Sequence, residues 1–290
     1  MKNIKIWFGD FWPNFDKSNN LFIYALSQKY NVIVTSENPD IVITDDSRYR
    51  YQNAKMVYFS GEPFFDLGQC DYAFTGFYVN DSKFFRVPLY LLYAYDYYKY
   101  GIIESFDAIL KKDISNFSLK DKINFCAYIA RGPGQHNRRT EFFNKLNQYK
   151  FVNALGSHFN NTPSIPGNPG TIEGSIEKYK ILKQYKFCMS FENTNQYNEC
   201  IGYTTEKIYE PMMSLSIPIY WGNSEIYKDF NIKSFINWND YGSDENVIER
   251  IIEIDNDDDL YMDYIKENYS ANDQLFKIDY MVNIFEEILK

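Results

Sequence analysis

The chain has 290 residues, 45% of them hydrophobic and 19% aromatic, which is ample for packed cores and excludes a disordered tail. At this length two domains of roughly 100–150 residues are expected. The formal net charge of −9 excludes a general nucleic-acid binder, which needs a basic face to displace counterions.

The start, "MKNIKIWFGD", lacks the apolar stretch of a signal peptide, and no segment approaches the ~18 apolar residues of a spanning helix. A cytoplasmic protein is expected, touching a membrane at most peripherally at its inner face. "IKIWF" (4–8), "NVIVTS" (31–36), "DIVIT" (40–44) and "KMVYFS" (55–60) read as buried strands, with a helix over "NNLFIYALSQKY" (19–30) between the first two. The aromatic run "FFRVPLYLLYAYDYYKYG" (84–101) predicts a helix buried on two sides, with Pro88 in its first turn. The more polar "IESFDAILKKDISNFSLKDK" (103–122) reads as the connection between domains.

The alternation then resumes. Strands are predicted at "INFCAYIA" (123–130), "KFVNALG" (150–156), "KFCMSFE" (186–192) and "IPIYW" (217–221). Helices are predicted at "NRRTEFFNKLNQY" (137–149), "SIEKYKILKQY" (175–185) and "TTEKIYEPMMS" (204–214). Strands alternating with helices imply parallel sheets with crossover helices. The expected fold class is α/β, with two Rossmann-like domains facing a cleft: residues 1–115, residues 116–270, and a C-terminal helix at 271–290.

Chemistry concentrates in "SFENTNQYNECIGYTTEKIYEPMMSLSIPIYWG" (190–222). In open parallel sheets, ligands bind beyond the carboxyl ends of the strands. Asn193 follows a strand end, and Thr204 to Lys207 open the next helix, where free N–H groups and the helix dipole favour an anion. Lys207 adds a full positive charge. Glu206 would repel phosphate and should face sugar hydroxyls. Read alone, "TTEK" is a capped helix start with an exposed ion pair.

The four cysteines, Cys70, Cys126, Cys188 and Cys200, form neither a CxxC pair nor a zinc spacing, and Cys126 and Cys188 read as small core residues in a reducing compartment. His136 and His158 read as structural. "RGPG" (131–134) is a glycine turn, not a nucleotide fingerprint. "DNDDD" (255–259) reads as an acidic loop and helix N-cap. Asp45 and Asp46 are a second place where a divalent ion could be sought.

"FEN", "GYTTEKI" and "IPIYWG" together resemble the donor-binding signature of the α-1,3-fucosyltransferases, FEN…Y-x-T-E-K…P-x-x-x-G. "IYKDFNIKSFINWND" (226–240), "FCAYIARGPGQHNRRTEFFNKLNQY" and "YFSGEPFFDLGQCDYAFTGF" are similar to further segments of that family. The resemblance covers about residues 55 to 270, and the first 50 residues fit by pattern only.

It implies a GT-B glycosyltransferase that moves L-fucose from GDP-β-L-fucose, with inversion, to O3 of a GlcNAc-type residue. The product would be an α-1,3 linkage in a surface glycan, as in protein glycosylation or lipopolysaccharide biosynthesis. The implied partners are a nucleotide-sugar donor and an oligosaccharide or glycolipid acceptor; no cofactor and no obligatory metal are implied. By the same resemblance Lys207 and Arg139 neutralise the diphosphate, with Arg138 beside Arg139 as the other option. Asn193, Tyr203 and Glu206 hold nucleotide and fucose, and Glu62, in "GEP", is the catalytic base. "GEP" is also ordinary turn chemistry. "TNQYNEC" (194–200) lengthens the loop beside the donor relative to the family, which leaves open a transferase of another nucleotide sugar. A glycan-binding homologue without catalysis is the third reading.

Overall fold

The computed structural model describes residues 1–48, 50–63, 67–106, 112–167, 171–194 and 201–290. The chain divides into two compact units. The first holds Met1–Ala108, Tyr197–Tyr203 and Asp273–Lys290, and the second holds Ile109–Gln196 and Thr204–Asn272.

The first unit is built on six parallel strands, β1 (Lys2–Gly9), β2 (Tyr30–Val34), β3 (Ile41–Thr44), β4 (Lys55–Ser60), β5 (Tyr72–Thr75) and β6 (Phe84–Arg86), in the order β2-β1-β3-β4-β5-β6. β3 is buried throughout, and β4 is buried after its first residue, as expected for strands covered on both faces. β2 departs from the predicted buried strand: it is an edge, its residues alternate in exposure, and Ile33 is open to solvent. Helix α1 (Leu21–Ser27) starts where Asn20 accepts the N–H of Ile23 at 3.0 Å, an N-cap interaction.

The predicted helix over 84–101 is two elements. Phe84–Arg86 pairs with Ala73–Thr75 as β6, and the helix proper, α2, is Leu89–Lys99. Proline explains the break: it disfavours helical backbone in the residue before it, and Pro88 itself is extended at the helix N-cap. α2 is buried on more than one side, with Tyr90, Leu91, Ala94, Tyr95 and Tyr97 all inside.

The second unit carries five parallel strands, β7 (Asn124–Tyr128), β8 (Val152–Ala154), β9 (Tyr185–Phe191), β10 (Ile217–Trp221) and β11 (Ile236–Asn237), ordered β11-β10-β9-β7-β8. Between and after them run α3 (Arg138–Tyr149), α4 (Ile172–Leu182), α5 (Glu206–Met213), α6 (Asp244–Asn256) and α7 (Asp258–Lys266). Phe142, Phe143, Leu146, Phe187, Phe191, Ile219, Trp221 and Ile251 belong to one buried cluster of this unit. The thiols of Cys126 and Cys188 are buried in β7 and β9, as small core residues.

The chain ends in α8 (Ile278–Ile288), which returns to the first unit. There Phe285 meets the rings of Phe22 and Phe74 at 6.4 and 5.7 Å. Among the described residues no helix is long and apolar enough to cross a membrane.

In the second sheet the chain leaves β7 toward β8 on one side and toward β9 and β10 on the other. The carboxyl ends of β7 and β9 therefore form a topological switch point, where crossover loops diverge and leave a crevice for ligands.

Candidate functional site

The loop leaving β7 at this switch point is "IARGPGQHN", and α3 follows. Gly134 has a φ of +70°, and a Cβ there would lie 3.2 Å from Arg139 Cδ, so glycine lets the arginine side chain lie across the loop. Arg139 is buried. Its Nε and Nη2 donate to the carbonyl of Phe191 at 3.1 and 2.7 Å, and Nη2 also donates to Asn193 Oδ1 at 2.7 Å.

Arg138 faces elsewhere. One residue apart on a helix means about 100° of rotation, and its guanidinium pairs with Asp244 while lying 4.7 Å over the ring of Trp238. Trp238 Nε1 donates to the same carboxylate at 2.8 Å. Of the two arginines, Arg139 is therefore the one brought to Asn193.

The loop leaving β9 is "ENT", and its first residue is one that the sequence reading passed over. Glu192 is fully buried. Its Oε1 accepts the N–H of Thr205 and its Oε2 the hydroxyl of Thr205, both at 2.7 Å. Thr205 is the N-cap of α5, so a carboxylate from β9 fastens the start of the next helix. Lys207, the second residue of the helix, places Nζ 3.0 Å from Thr205 Oγ1, 3.5 Å from Glu192 Oε2 and 3.6 Å from Glu206 Oε1. The expected exposed ion pair is thus a largely buried cluster.

The three residues Phe191, Glu192 and Asn193 hold both cations. The Phe191 carbonyl and the Asn193 amide oxygen take Arg139, and the Glu192 carboxylate takes Lys207. The signal for Glu192 was available in "KFCMSFE": an acidic residue closing a strand that is buried throughout must have partners.

The electrostatics follow from this packing. Burial pushes the Glu192 carboxyl above its ordinary range, with Lys207 opposing. Burial also disfavours ionised Glu206, but Lys207 and Lys178 outweigh it and hold that carboxyl below its ordinary range. Lys207 is pushed up despite its own desolvation, because Glu206 and Glu192 favour the ammonium. Behind them Lys178 of α4 pairs with the buried Glu210.

β10 closes the site from the other side. A Cβ on Gly222 would lie 2.6 Å from Glu192 Cγ and 2.7 Å from Tyr220 Oη. The glycine at the end of "IPIYWG" is therefore a packing requirement of the Glu192 side chain.

The remaining predicted residues are placed as follows. Tyr203 is buried in the first unit, its ring 6.3 Å from that of Phe77. Glu62, also in the first unit, is exposed just beyond β4, with its N–H on Ser60 Oγ at 3.2 Å. Residues 195–200 of the lengthened loop lie outside the described residues.

His158 is a packing residue. Its Nδ1 lies 2.7 Å from Tyr128 Oη and its ring 4.2 Å from that of Phe159. In the acidic run 255–259, Asp255 binds Lys150 and Lys186 at 2.9 and 2.8 Å, and Asp257 caps α7 through the N–H of Leu260. Asp46 is bound by Arg48, whose Nε donates to Oδ1 at 2.9 Å.

Residues 119–283 match the model for the C-terminal region of glycosyltransferase family 10 (fucosyltransferase). Residues 6–93 match the model for the alpha-(1,3)-fucosyltransferase FucT N-terminal domain. The chain is 31% identical over 287 residues to the alpha-(1,3)-fucosyltransferase FucT of Helicobacter pylori, covering 86% of this chain and 56% of that protein. It is 28% identical over 174 residues to GDP-fucose protein O-fucosyltransferase 3 of Xenopus laevis, covering 59% of this chain and 36% of that one. The chain thus spans just over half the length of the first relative and about a third of the second.

Among solved structures, an alpha1,3-fucosyltransferase crystallised with GDP-fucose matches with a TM-score of 0.78 at 26% identity, over 100% of this chain and 91% of that one. The form with GDP matches with a TM-score of 0.79 over 99% and 90%. The fold is α/β and GT-B-like, with two parallel sheets and their helices.

The packing at Gly222 gives a direct test. Gly222→Ala must displace Glu192 or Tyr220, and overpacking of this kind costs about 1–3 kcal/mol. We expect a lower denaturation midpoint in urea; an unchanged midpoint would contradict the close contact.

Proposed function

The chain belongs to glycosyltransferase family 10, the fucosyltransferases, and on that footing we propose that it transfers L-fucose from GDP-β-L-fucose to O3 of a GlcNAc-type residue, with inversion, in an α-1,3 linkage. The observation that carries the donor half is the Phe191–Asn193 stretch, which brings Arg139 and Lys207 to the switch point of the second sheet. A nucleoside diphosphate is the ligand that two cations and a helix N-terminus at such a point suit best. The matched crystal structures bearing GDP-fucose and GDP support the same donor.

In this reading the acceptor O3 attacks the anomeric carbon as the bond from that carbon to the β-phosphate oxygen breaks. The acceptor's proton passes to the Glu62 carboxylate, and the electron pair of the broken bond leaves on GDP. Attack opposite the leaving group turns a β-linked donor into an α-linked product. Lys207 and Arg139 stabilise the charge that builds on the diphosphate. Glu206 and Tyr203 are assigned to the ribose and fucose, and Asn193 to the nucleotide beside Arg139. The acceptor is an oligosaccharide or glycolipid of a surface glycan. The proposed setting is the cytoplasm, at most peripheral to the inner face of a membrane; the buried thiols of Cys126 and Cys188 suit a reducing compartment.

Three outcomes are expected. Lys207→Ala should weaken GDP binding by about 1.5–3 kcal/mol, the range of a hydrogen bond to a charged group, as read by calorimetric titration beside a thermal melt of the same sample. Arg139→Ala is the less clean variant, because that guanidinium also holds the Phe191 carbonyl. Full affinity in Lys207→Ala would remove the phosphate role.

Transfer should survive exhaustive chelation, because side-chain cations perform the neutralisation that a divalent ion performs elsewhere. Loss of turnover with EDTA, restored by Mn²⁺, would overturn this.

Glu62→Gln should lower the transfer rate by ~10²–10⁴-fold, the usual worth of a positioned base, while GDP affinity holds. Near-normal transfer would return Glu62 to a turn residue. A wild-type protein that binds glycan but neither transfers nor hydrolyses any nucleotide sugar would favour the glycan-binding reading.

A further inference from the structure

The cluster at the start of α5 matches its cations with carboxylates and so offers a diphosphate no net positive charge. Glu192 and Glu206 both lie within 3.6 Å of Lys207 Nζ, so one ammonium serves two carboxylates. Lys178 and Glu210 pair with each other behind them. Arg139, from α3, is committed to the Phe191 carbonyl and the Asn193 amide. The other titratable group facing Glu192 is Tyr220 of β10, whose hydroxyl burial holds neutral, its pKa pushed well above the ordinary value. With every carboxylate ionised, Glu192 and Glu206 cancel Lys207 and Arg139, whose charge also reaches Lys207, so a diphosphate would meet no net positive charge at close range in a buried site.

We propose that a proton enters the Glu192–Glu206 pair when the donor diphosphate binds, and that Glu192 is its seat, which frees Lys207 to face phosphate. The inference rests on the reading of this cluster as the donor-phosphate site. Glu192 is a positioning residue here: it acts on the ligand through Thr205 and Lys207.

The geometry favours Glu192 as the proton carrier in two ways. The first is burial, which is complete for Glu192 and partial for the Glu206 side chain at 15% exposed. The two environments drive the carboxyls apart, Glu192 upward and Glu206 downward, and such a pair shares its titration.

The second is a hydrogen-bond route that keeps the helix cap. Thr205 Oγ1 donates to Glu192 Oε2 at 2.7 Å and is next in the chain to Glu206, whose carboxyl it helps to hold down. A proton taken from solvent onto Glu192 Oε2 is donated to Thr205 Oγ1, and the threonine's own hydrogen turns to Glu206. The N–H of Thr205 stays on Glu192 Oε1, so the helix cap survives. On release of the nucleotide the proton returns to solvent.

The sign is then fixed. Binding that takes up a proton weakens as pH rises through the pKa of Glu192 in the free protein, by at most about tenfold per pH unit.

The test is calorimetric titration of GDP-fucose near pH 7.5 in HEPES and in Tris, whose ionisation heats differ. GDP-fucose is the probe because its phosphates are diesters, without the second ionisation near pH 6 of a terminal phosphate. The expected result is a buffer-dependent heat that reports net proton uptake, with affinity falling as pH rises. In Glu192→Gln the uptake should vanish and affinity should become flat with pH. A merely structural Glu192 would lower the melting temperature of that variant and leave uptake unchanged, which would overturn the assignment. Equal heats in both buffers for the wild type would overturn the proposal outright, and that arm stands even where the variant fails to fold. Binding without proton uptake leaves the donor site intact, whereas no binding at all removes the donor-site reading and this proposal together.

Discussion

The second unit's site depends on one interaction, the burial of the Glu192 carboxylate against the first turn of α5. Its two oxygens take the N–H and the hydroxyl of Thr205, which sets the direction of the helix and the position of Lys207. It forces a glycine at 222, because β10 passes too close for any side chain. Through its neighbours in sequence it also fixes Arg139, whose guanidinium reads the Phe191 carbonyl and the Asn193 amide. A buried carboxylate is costly unless paired and hydrogen-bonded. Here the pairing is what assembles two cations at one strand end.

Much of the fold was legible in the sequence because the central strands are buried on both faces and read as continuous apolar runs. β3, β4, β9 and β10 were found at nearly their observed limits for that reason. What escaped detection was short or lay at an edge. β5 has four residues and β6 three, and both sit in aromatic-rich segments where strand and helix periods cannot be separated. β2 was found, but its exposure was misjudged, since "NVIV" looks as apolar at an edge as in the middle of a sheet.

The site divided differently. Motif and spacing pointed to Asn193, Glu206 and Lys207, and the structure brings the last two together and sets Asn193 beside Arg139. The choice between adjacent arginines could not be read locally, because it is decided by Asp244 and Trp238, far onward in the chain. Glu192 was hidden by its own motif, in which the neighbouring asparagine drew attention as the polar residue past the strand end. Tyr203 was read with the helix it precedes, yet it packs in the first unit with Phe77. Sequence adjacency gave no sign of that boundary.

The return of α8 to the first unit bears on how the molecule is made. Phe22 and Phe74 leave the ribosome more than two hundred residues ahead of their partner Phe285. Chains grow at about 5–20 residues per second, so this aromatic cluster stays open while the second unit is made. The second unit is contiguous from Ile109 to Asn272 apart from Tyr197–Tyr203, and its sheet can form before the first has its last layer. Long-range closure of this kind is slow. Of these two units, the one begun first is therefore the one completed last.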